Sequence, residues 1–259
     1  MDILSKITES VRSRVERTKN VKPLEEVREK ALALQKDDFA FERALSTPGM
    51  SFICEVKKAS PSKGVISSDF PYLNIALEYE REGTSAISVL TETDFFLGND
   101  VYLQEIAHAV SVPTLRKDFT LDEYQIYEAK LLGASAVLLI CALLNEKELT
   151  YYLSVAHAIG LSVLVEAHTE DEVLRAVNVG ARIIGANNRN LKNFSIDFST
   201  STRLRKLVPP NILFVAESGI HTRGDVLSLQ DVGVDAVLVG EALMRVKNKS
   251  EYLRELRGM

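Results

Sequence analysis

Apolar residues along the chain gather into eight short runs separated by stretches with a helical rhythm. The runs are Phe52–Val56, Ala86–Leu90, Pro113–Leu115, Ala136–Ile140, Ser162–Val165, Arg182–Gly185, Ile212–Ala216 and Ala236–Val239. They are nearly continuous rather than alternating, as expected of strands covered on both faces. Between them, Ile75 and Tyr79 before Gly83, Glu123–Leu132 before Gly133, and Glu170–Val179 before Gly180 read as helices with glycine as the stop. One phrase then recurs: Gly83-Thr-Ser-Ala, Gly133-Ala-Ser-Ala, Gly180-Ala-Arg and Gly233-Val-Asp-Ala each lead into an apolar run. Strands spaced by about 20–30 residues with helices between them are the rhythm of parallel βα units. Eight such units predict an α/β protein of the (β/α)8 TIM-barrel type, which takes about 250 residues. An open doubly wound sheet is the alternative, but no Gly-x-Gly-x-x-Gly follows the first strand.

Residues 1–46 precede the first strand and predict an N-terminal helical extension to a barrel domain over 47–259, together one structural unit. Ile3, Ile7, Val11 and Val15 recur every four residues, and a charged helical pattern follows Pro23. This segment is either a lid or partial floor at the mouth of a barrel, or an amphipathic helix that packs outside it.

With 259 residues, 46% of them apolar and 26% charged, the chain can build a large core, and it is neither a disordered chain nor a disulfide scaffold. Its longest apolar run, Ala136–Leu144, has nine residues, against about 18 for a membrane span. The first residues mix both charge signs and lack a secretory pattern, so a cytoplasmic protein with no membrane partner is expected. Cys54 and Cys141 lie in apolar runs and read as buried thiols of a reducing compartment. A net charge of −5 gives no support for nucleic-acid binding.

In such a barrel, chemistry sits at the C-terminal ends of the strands. Those positions hold Glu55 and Lys57, Glu92, Arg116 and Lys117, Cys141, Glu166, Asn187 with Arg189, Glu217-Ser218-Gly219 and Gly240-Glu241. One charge at a strand end is ordinarily solvated or paired, but seven of eight ends carrying a charged or amide group favour an active site. Lys57, Arg116, Lys117 and Arg189 imply an anionic ligand despite the acidic whole. Gly219 and Gly240 either let backbone approach a phosphate or serve only tight turns. Glu55 and Lys57, two apart on a strand, share a face. Ser60, in the loop Ser60-Pro-Ser-Lys-Gly64, can offer a hydroxyl to an anion.

Seven stretches, in order on successive strands, carry a resemblance: Glu55-Val-Lys-Lys-Ala-Ser-Pro-Ser-Lys-Gly64, Ser88-Val-Leu-Thr-Glu92, Leu115-Arg-Lys-Asp-Phe119, Leu164-Val-Glu-Ala-His168, Gly185-Ala-Asn-Asn-Arg189, Ala216-Glu-Ser-Gly-Ile220 and Val239-Gly-Glu-Ala-Leu-Met244. Together they resemble the indole-3-glycerol-phosphate synthases over nearly the whole chain. The resemblance implies a carboxy-lyase of tryptophan biosynthesis that closes the ring of 1-(2-carboxyphenylamino)-1-deoxyribulose 5-phosphate, releasing carbon dioxide and water. It implies no metal and no organic cofactor, and the partner is a small phosphorylated molecule; the protein is expected to be a monomer or weak homodimer. His108, His157, His168 and His221 are scattered without metal-ligand spacing.

By the same resemblance, Lys117 is the general acid and Glu166 the general base, the latter with a pKa raised by partial burial. Lys57 binds substrate anions and shares proton transfer, Glu55 orients Lys57 or Lys117, and Asn187 and Glu217 position hydroxyls and the amine. Arg189 and Ser60 take the anthranilate carboxylate, while Ser218, Gly219, Gly240 and Glu241 line the phosphate side. Phe96, Phe119, Leu138 and Leu191 either wall the aromatic ring or are ordinary core. Two positions depart from the family pattern. Glu241 replaces a serine found in some members, and Asn190 stands where aspartate is expected, which loosens an ion pair to Arg189. A phosphoribosylanthranilate isomerase would need a Cys/Asp acid–base pair at strand ends, yet Cys54 lies inside the first strand. A non-catalytic sugar-phosphate binder would keep the glycines and lose the acid–base residues, but Lys57, Lys117 and Glu166 are all present.

Overall fold

The computed structural model describes residues 3–36, 38–190 and 194–259. Eight parallel strands close into a barrel: β1 (Ser51–Val56), β2 (Ala86–Leu90), β3 (Thr114–Lys117), β4 (Ala136–Ile140), β5 (Ser162–Ala167), β6 (Ile183–Asn187), β7 (Leu213–Glu217) and β8 (Ala236–Val239). Each pairs with its sequence neighbour, and β8 returns to β1 with Cys54 opposite Val239. A short hairpin, Ala59–Ser60 against Gly64–Val65, follows β1. The helices α1 (Ile3–Val21), α2 (Leu24–Ala33) and α3 (Ala40–Leu45) precede the barrel. Around it run α4 (Tyr72–Arg81), α5 (Asp100–Ala109), α6 (Glu123–Leu131), α7 (Glu146–Ala158), α8 (Glu170–Asn178), α9 (Ser199–Arg205), α10 (Arg223–Asp231), α11 (Glu241–Arg245) and α12 (Lys249–Arg257). Side-chain caps start several of them, including capping boxes Asn145/Glu148 on α7 and Thr222/Asp225 on α10.

All eight expected runs are strands, but four extend further than the apolar pattern indicates. β3 continues through Arg116 and Lys117, β5 through Glu166, β6 through Asn187 and β7 through Glu217. At Arg116, Glu166 and Glu217 the apolar pattern stops at a charged residue; the backbone ladder does not, because it is built from N–H and C=O groups common to every residue. The polar side chains therefore stand on the strands themselves rather than on loops beyond them.

The alternation along each strand separates inside from outside. Lys117 points into the barrel, so its neighbour Arg116 points out, among Asp100, Glu128 and the carbonyl of Gln125 at 2.7–3.0 Å. Arg116 is buried, and the acids around it hold its guanidinium charged. It is a strut between β3 and the helices α5 and α6, not part of an anion site.

The N-terminal helices close both ends. Phe41 and Leu45 of α3 are buried, and the N–H of Glu42 donates to Oγ of Ser162 at the start of β5, which places α3 at the barrel floor. Helix α1 buries Ile7, Val11 and Val15, each worth about 1.5–3 kcal/mol when removed from water. It lies across the opposite end, where Arg14 pairs with Asp118, Lys19 with Asp122, and Ser10 with Asp94. Both readings of the segment meet here, because one apolar edge packs α1 and its first turn, Ile3, Leu4 and Ile7, lines the mouth.

Candidate active site

At the C-terminal end of the strands lies a cavity of about 450 Å³. Glu55, Lys57, Ser60, Phe96, Lys117, Phe119, Leu138, Glu166, Asn187, Arg189, Glu217, Ser218, Gly219, Gly240 and Glu241 all line it. Leu191, expected in the apolar wall, lies outside the described residues. Sequence reasoning missed Ile3, Leu4 and Ile7, which come from a helix remote in sequence, as well as Phe194, Ile196 and Ile220.

Three buried carboxylates and two ammonium groups share the cavity floor. Lys117 Nζ is 3.4 Å from Glu166 Oε2 and 3.6 Å from Glu217 Oε2. Lys57 pairs with Glu55, which also accepts from Ser88 Oγ at 3.3 Å. Small residues make room for these acids. A methyl group at Gly185 would collide with Glu217 Oε1, and one at Gly240 with Glu55 Oε1.

Three acids against two cations leave one carboxylate without a partner charge, and the electrostatics assign the surplus. Burial opposes charge on Lys117, but Glu166, Glu217 and Glu55 outweigh it and keep the ammonium protonated well above its usual range. Burial likewise pushes Glu55 and Glu166 up. Lys57 and Lys117 reverse this for Glu55, and Lys117 and His168 do so for Glu166, so both stay below the usual carboxylate range. Glu217 goes the other way, because burial, with Glu166 and Glu55 nearby, pushes it up to about 8 against the pull of Lys117. The raised carboxyl expected at Glu166 is therefore found at Glu217. Glu217 Oε1 is sealed from solvent and has no hydrogen-bond partner among the described residues.

Glu92 and Cys141 do not line the cavity. Glu92 accepts the backbone N–H groups of Asp94, Phe95 and Phe96 at 2.7–3.0 Å, and so shapes the loop that presents Phe96. The rings of Phe96 and Phe119 lie 6.0 Å apart and form an apolar wall. The Cys141 thiol faces the carbonyl of Glu172 at 3.6 Å; burial pushes it up to about 12, which makes it a poor nucleophile.

Across the mouth, Arg189 Nη2 meets Glu241 Oε2 at 3.1 Å, while Arg245 Nε meets Oε1 at 3.1 Å and Lys63 lies 3.9 Å away. Glu241 thus supplies Arg189 with a carboxylate partner across the mouth. After β7, Ser218 and Gly219 take consecutive left-handed conformations, φ 68° and 79°. That geometry costs energy at a serine. At Gly219 a Cβ would also press on Ile196 at 2.7 Å.

The chain is 54% identical to indole-3-glycerol phosphate synthase of Ruminiclostridium cellulolyticum over 257 residues, covering 99% of both chains. It is 53% identical to the enzyme of the same name from Endomicrobium trichonymphae, covering 98% of this chain and 99% of that one. In fold it is similar to thiamine phosphate pyrophosphorylase from Pyrococcus furiosus, with a TM-score of 0.61 at 16% identity, over 84% of this chain and 96% of that one. The model of the family described as indole-3-glycerol phosphate synthase matches residues 4–256, and this chain belongs to that family.

Proposed function

We propose that the protein closes the indole ring of 1-(2-carboxyphenylamino)-1-deoxyribulose 5-phosphate, releasing carbon dioxide and water, as a carboxy-lyase of tryptophan biosynthesis in the cytoplasm. The observation that carries the reading is Lys117, an ammonium held charged between Glu166 and Glu217 on the floor of a cavity with an aromatic wall. As the ring carbon bearing the carboxylate attacks the ribulose carbonyl, negative charge develops on the carbonyl oxygen, and Lys117 gives that oxygen its proton. Loss of carbon dioxide restores the aromatic ring.

The same transfer prepares the next step. Once Lys117 is a neutral amine, the larger of the two charges that depress Glu166 is gone, and the carboxylate becomes the stronger base that dehydration requires. Lys57, held by Glu55, binds substrate anions and shares proton transfer with Lys117. Asn187 and Glu217 position the substrate's hydroxyls and amine, and the proton on Glu217 supplies a donor. Arg189 and Ser60 take the anthranilate carboxylate; the backbone at Ser218, Gly219 and Gly240, beside Glu241, takes the phosphate. Phe96, Phe119 and Leu138 hold the aromatic ring.

The test is a fluorescence assay for indole formation from this substrate, with the unaltered protein beside Lys117→Ala and with chelator present. Turnover by the former alone supports the reading. A folded, substrate-binding protein with no turnover overturns it in favour of a sugar-phosphate binder.

A further inference from the structure

Beside the cavity, outside its lining, His168 lies between two carboxylates. Its Nε2 is 3.4 Å from Glu166 Oε1, and its Nδ1 is 3.5 Å from Glu172 Oε2. Both ring nitrogens are sealed from solvent. The backbone N–H of His168 also donates to Glu172 Oε2 at 2.6 Å, so the first turn of α8 fixes the residue from behind. Glu166 is thereby divided, with Oε1 facing the imidazole and Oε2 facing Lys117.

We propose that His168 is a positioning residue that, as an imidazolium between Glu172 and Glu166, holds the Glu166 carboxylate in place and ionised while Lys117 is without its proton. The proposal rests on the assignment of Glu166 as the base. Its physical ground is the proton cycle of Lys117. When Lys117 is neutral, the buried Glu217 remains near Glu166, and no other cation among the described residues stands as close to it as His168. An imidazolium places positive charge beside both carboxylates at once, through ion-pair contacts of 3.4 and 3.5 Å, whereas a neutral ring leaves one carboxylate facing a lone pair.

The groups facing His168 are Glu166 on β5, Glu217 on β7 and Glu172 on α8, where Arg175 and the Cys141 thiol adjoin Glu172. Burial favours the neutral ring, but Glu172, Glu166 and Glu217 together turn the balance toward the imidazolium. The positioning role explains a residue that stands outside the cavity lining with both ring nitrogens toward acids.

The experiment is an NMR titration of the histidine rings, four in all, with His168 assigned through His168→Asn. The His168 ring is expected to titrate above the ordinary value of about 6.5, and Glu172→Gln and Glu166→Gln should each lower its midpoint by roughly one unit. Ordinary titration that is indifferent to both substitutions overturns the proposal. As a kinetic readout, the acidic limb of kcat/KM should move up by roughly one unit in His168→Asn, with His168→Gln behaving alike and KM changing less than about twofold. A purely structural loss would lower activity equally at every pH and would also overturn it. The ring titration needs no turnover, so failure of the proposed reaction and failure of this inference are read separately.

Discussion

Arg14 and Asp118 are joined by two hydrogen bonds of 2.8 and 2.9 Å, which tie the first helix to the residue that follows Lys117. Asp118 also accepts from Thr91 Oγ1 at 2.7 Å and from the N–H of Phe119 at 2.8 Å, and its side chain is only 1% exposed. Removing the guanidinium leaves the buried carboxylate with the more distant Arg116, 3.9 Å away, as its cation. Arg14→Ala should therefore lower stability by about 1–3 kcal/mol, read as a lower urea midpoint. Because α1 carries Ile3, Leu4 and Ile7 to the cavity, KM should rise in the same variant. An unchanged midpoint would mean that Arg116, Thr91 and Phe119 suffice to hold Asp118.

Lys117→Ala should reduce turnover by roughly 10²–10⁴-fold with substrate binding retained, since a positioned proton donor contributes about that much. Lys117→Arg separates charge from proton transfer. The guanidinium keeps the cation between Glu166 and Glu217 but does not release a proton at working pH. Recovery of turnover in Lys117→Arg would reduce the role of Lys117 to electrostatics.

Glu217 holds its proton up to about 8 in the folded protein, above the ordinary carboxylate value of 4.5. The stability this carboxyl contributes is therefore full below the ordinary value and is lost as pH rises through about 8. Glu217→Gln cannot titrate. Between about pH 5 and pH 9 the unaltered protein should lose Tm relative to the variant. Parallel Tm curves would place the surplus proton elsewhere in the cluster.

How far these features were legible in the sequence differs by length scale. The strands were legible because a barrel wall is apolar on both faces, and glycines such as Gly133, at φ 86°, marked helix ends by their own conformation. Strand ends were placed too early where a charged residue of the inner face lies at the end of the strand, as at Lys117 and Glu217. Alternation alone separates Arg116 from Lys117, yet grouping charges by proximity in sequence put both at the mouth. The proton on Glu217 was not legible, because it depends on Glu55, Glu166 and Lys117 converging from three other strands or their ends around the space above Gly185.

Arg189 and Glu241 offer opposite outcomes from one ion pair. Arg189→Ala should chiefly raise KM, because it removes a cation from the mouth while the floor of the cavity is untouched. Glu241→Ser removes the carboxylate that competes with a substrate anion for Arg189, so KM should fall and depend more steeply on salt. Measuring KM at about 0.05 and 0.2 M salt checks both. A change confined to kcat in Arg189→Ala would contradict its place in anion recognition.

Acid sensitivity has a source far from the cavity. The His157 ring stands edge-on to Phe39 at 5.7 Å, and the Arg182 guanidinium lies 3.9 Å over the same Phe39 ring. Burial, with Arg182 and Lys36 nearby, lowers the His157 pKa from 6.5 to about 4. Because the folded value is depressed, the unfolded chain takes up the proton first. The contribution is full above about 6.5 and is lost as pH falls toward about 4. The ring is half-buried, so solvent screening reduces the effect to about 1 kcal/mol. His157→Gln should accordingly lose less Tm than the unaltered protein between about pH 7 and pH 5. Equal losses in the two proteins would remove His157 as a source of acid sensitivity, since the buried Glu55 and Glu166, whose folded values are depressed from 4.5, lose their contribution only at lower pH.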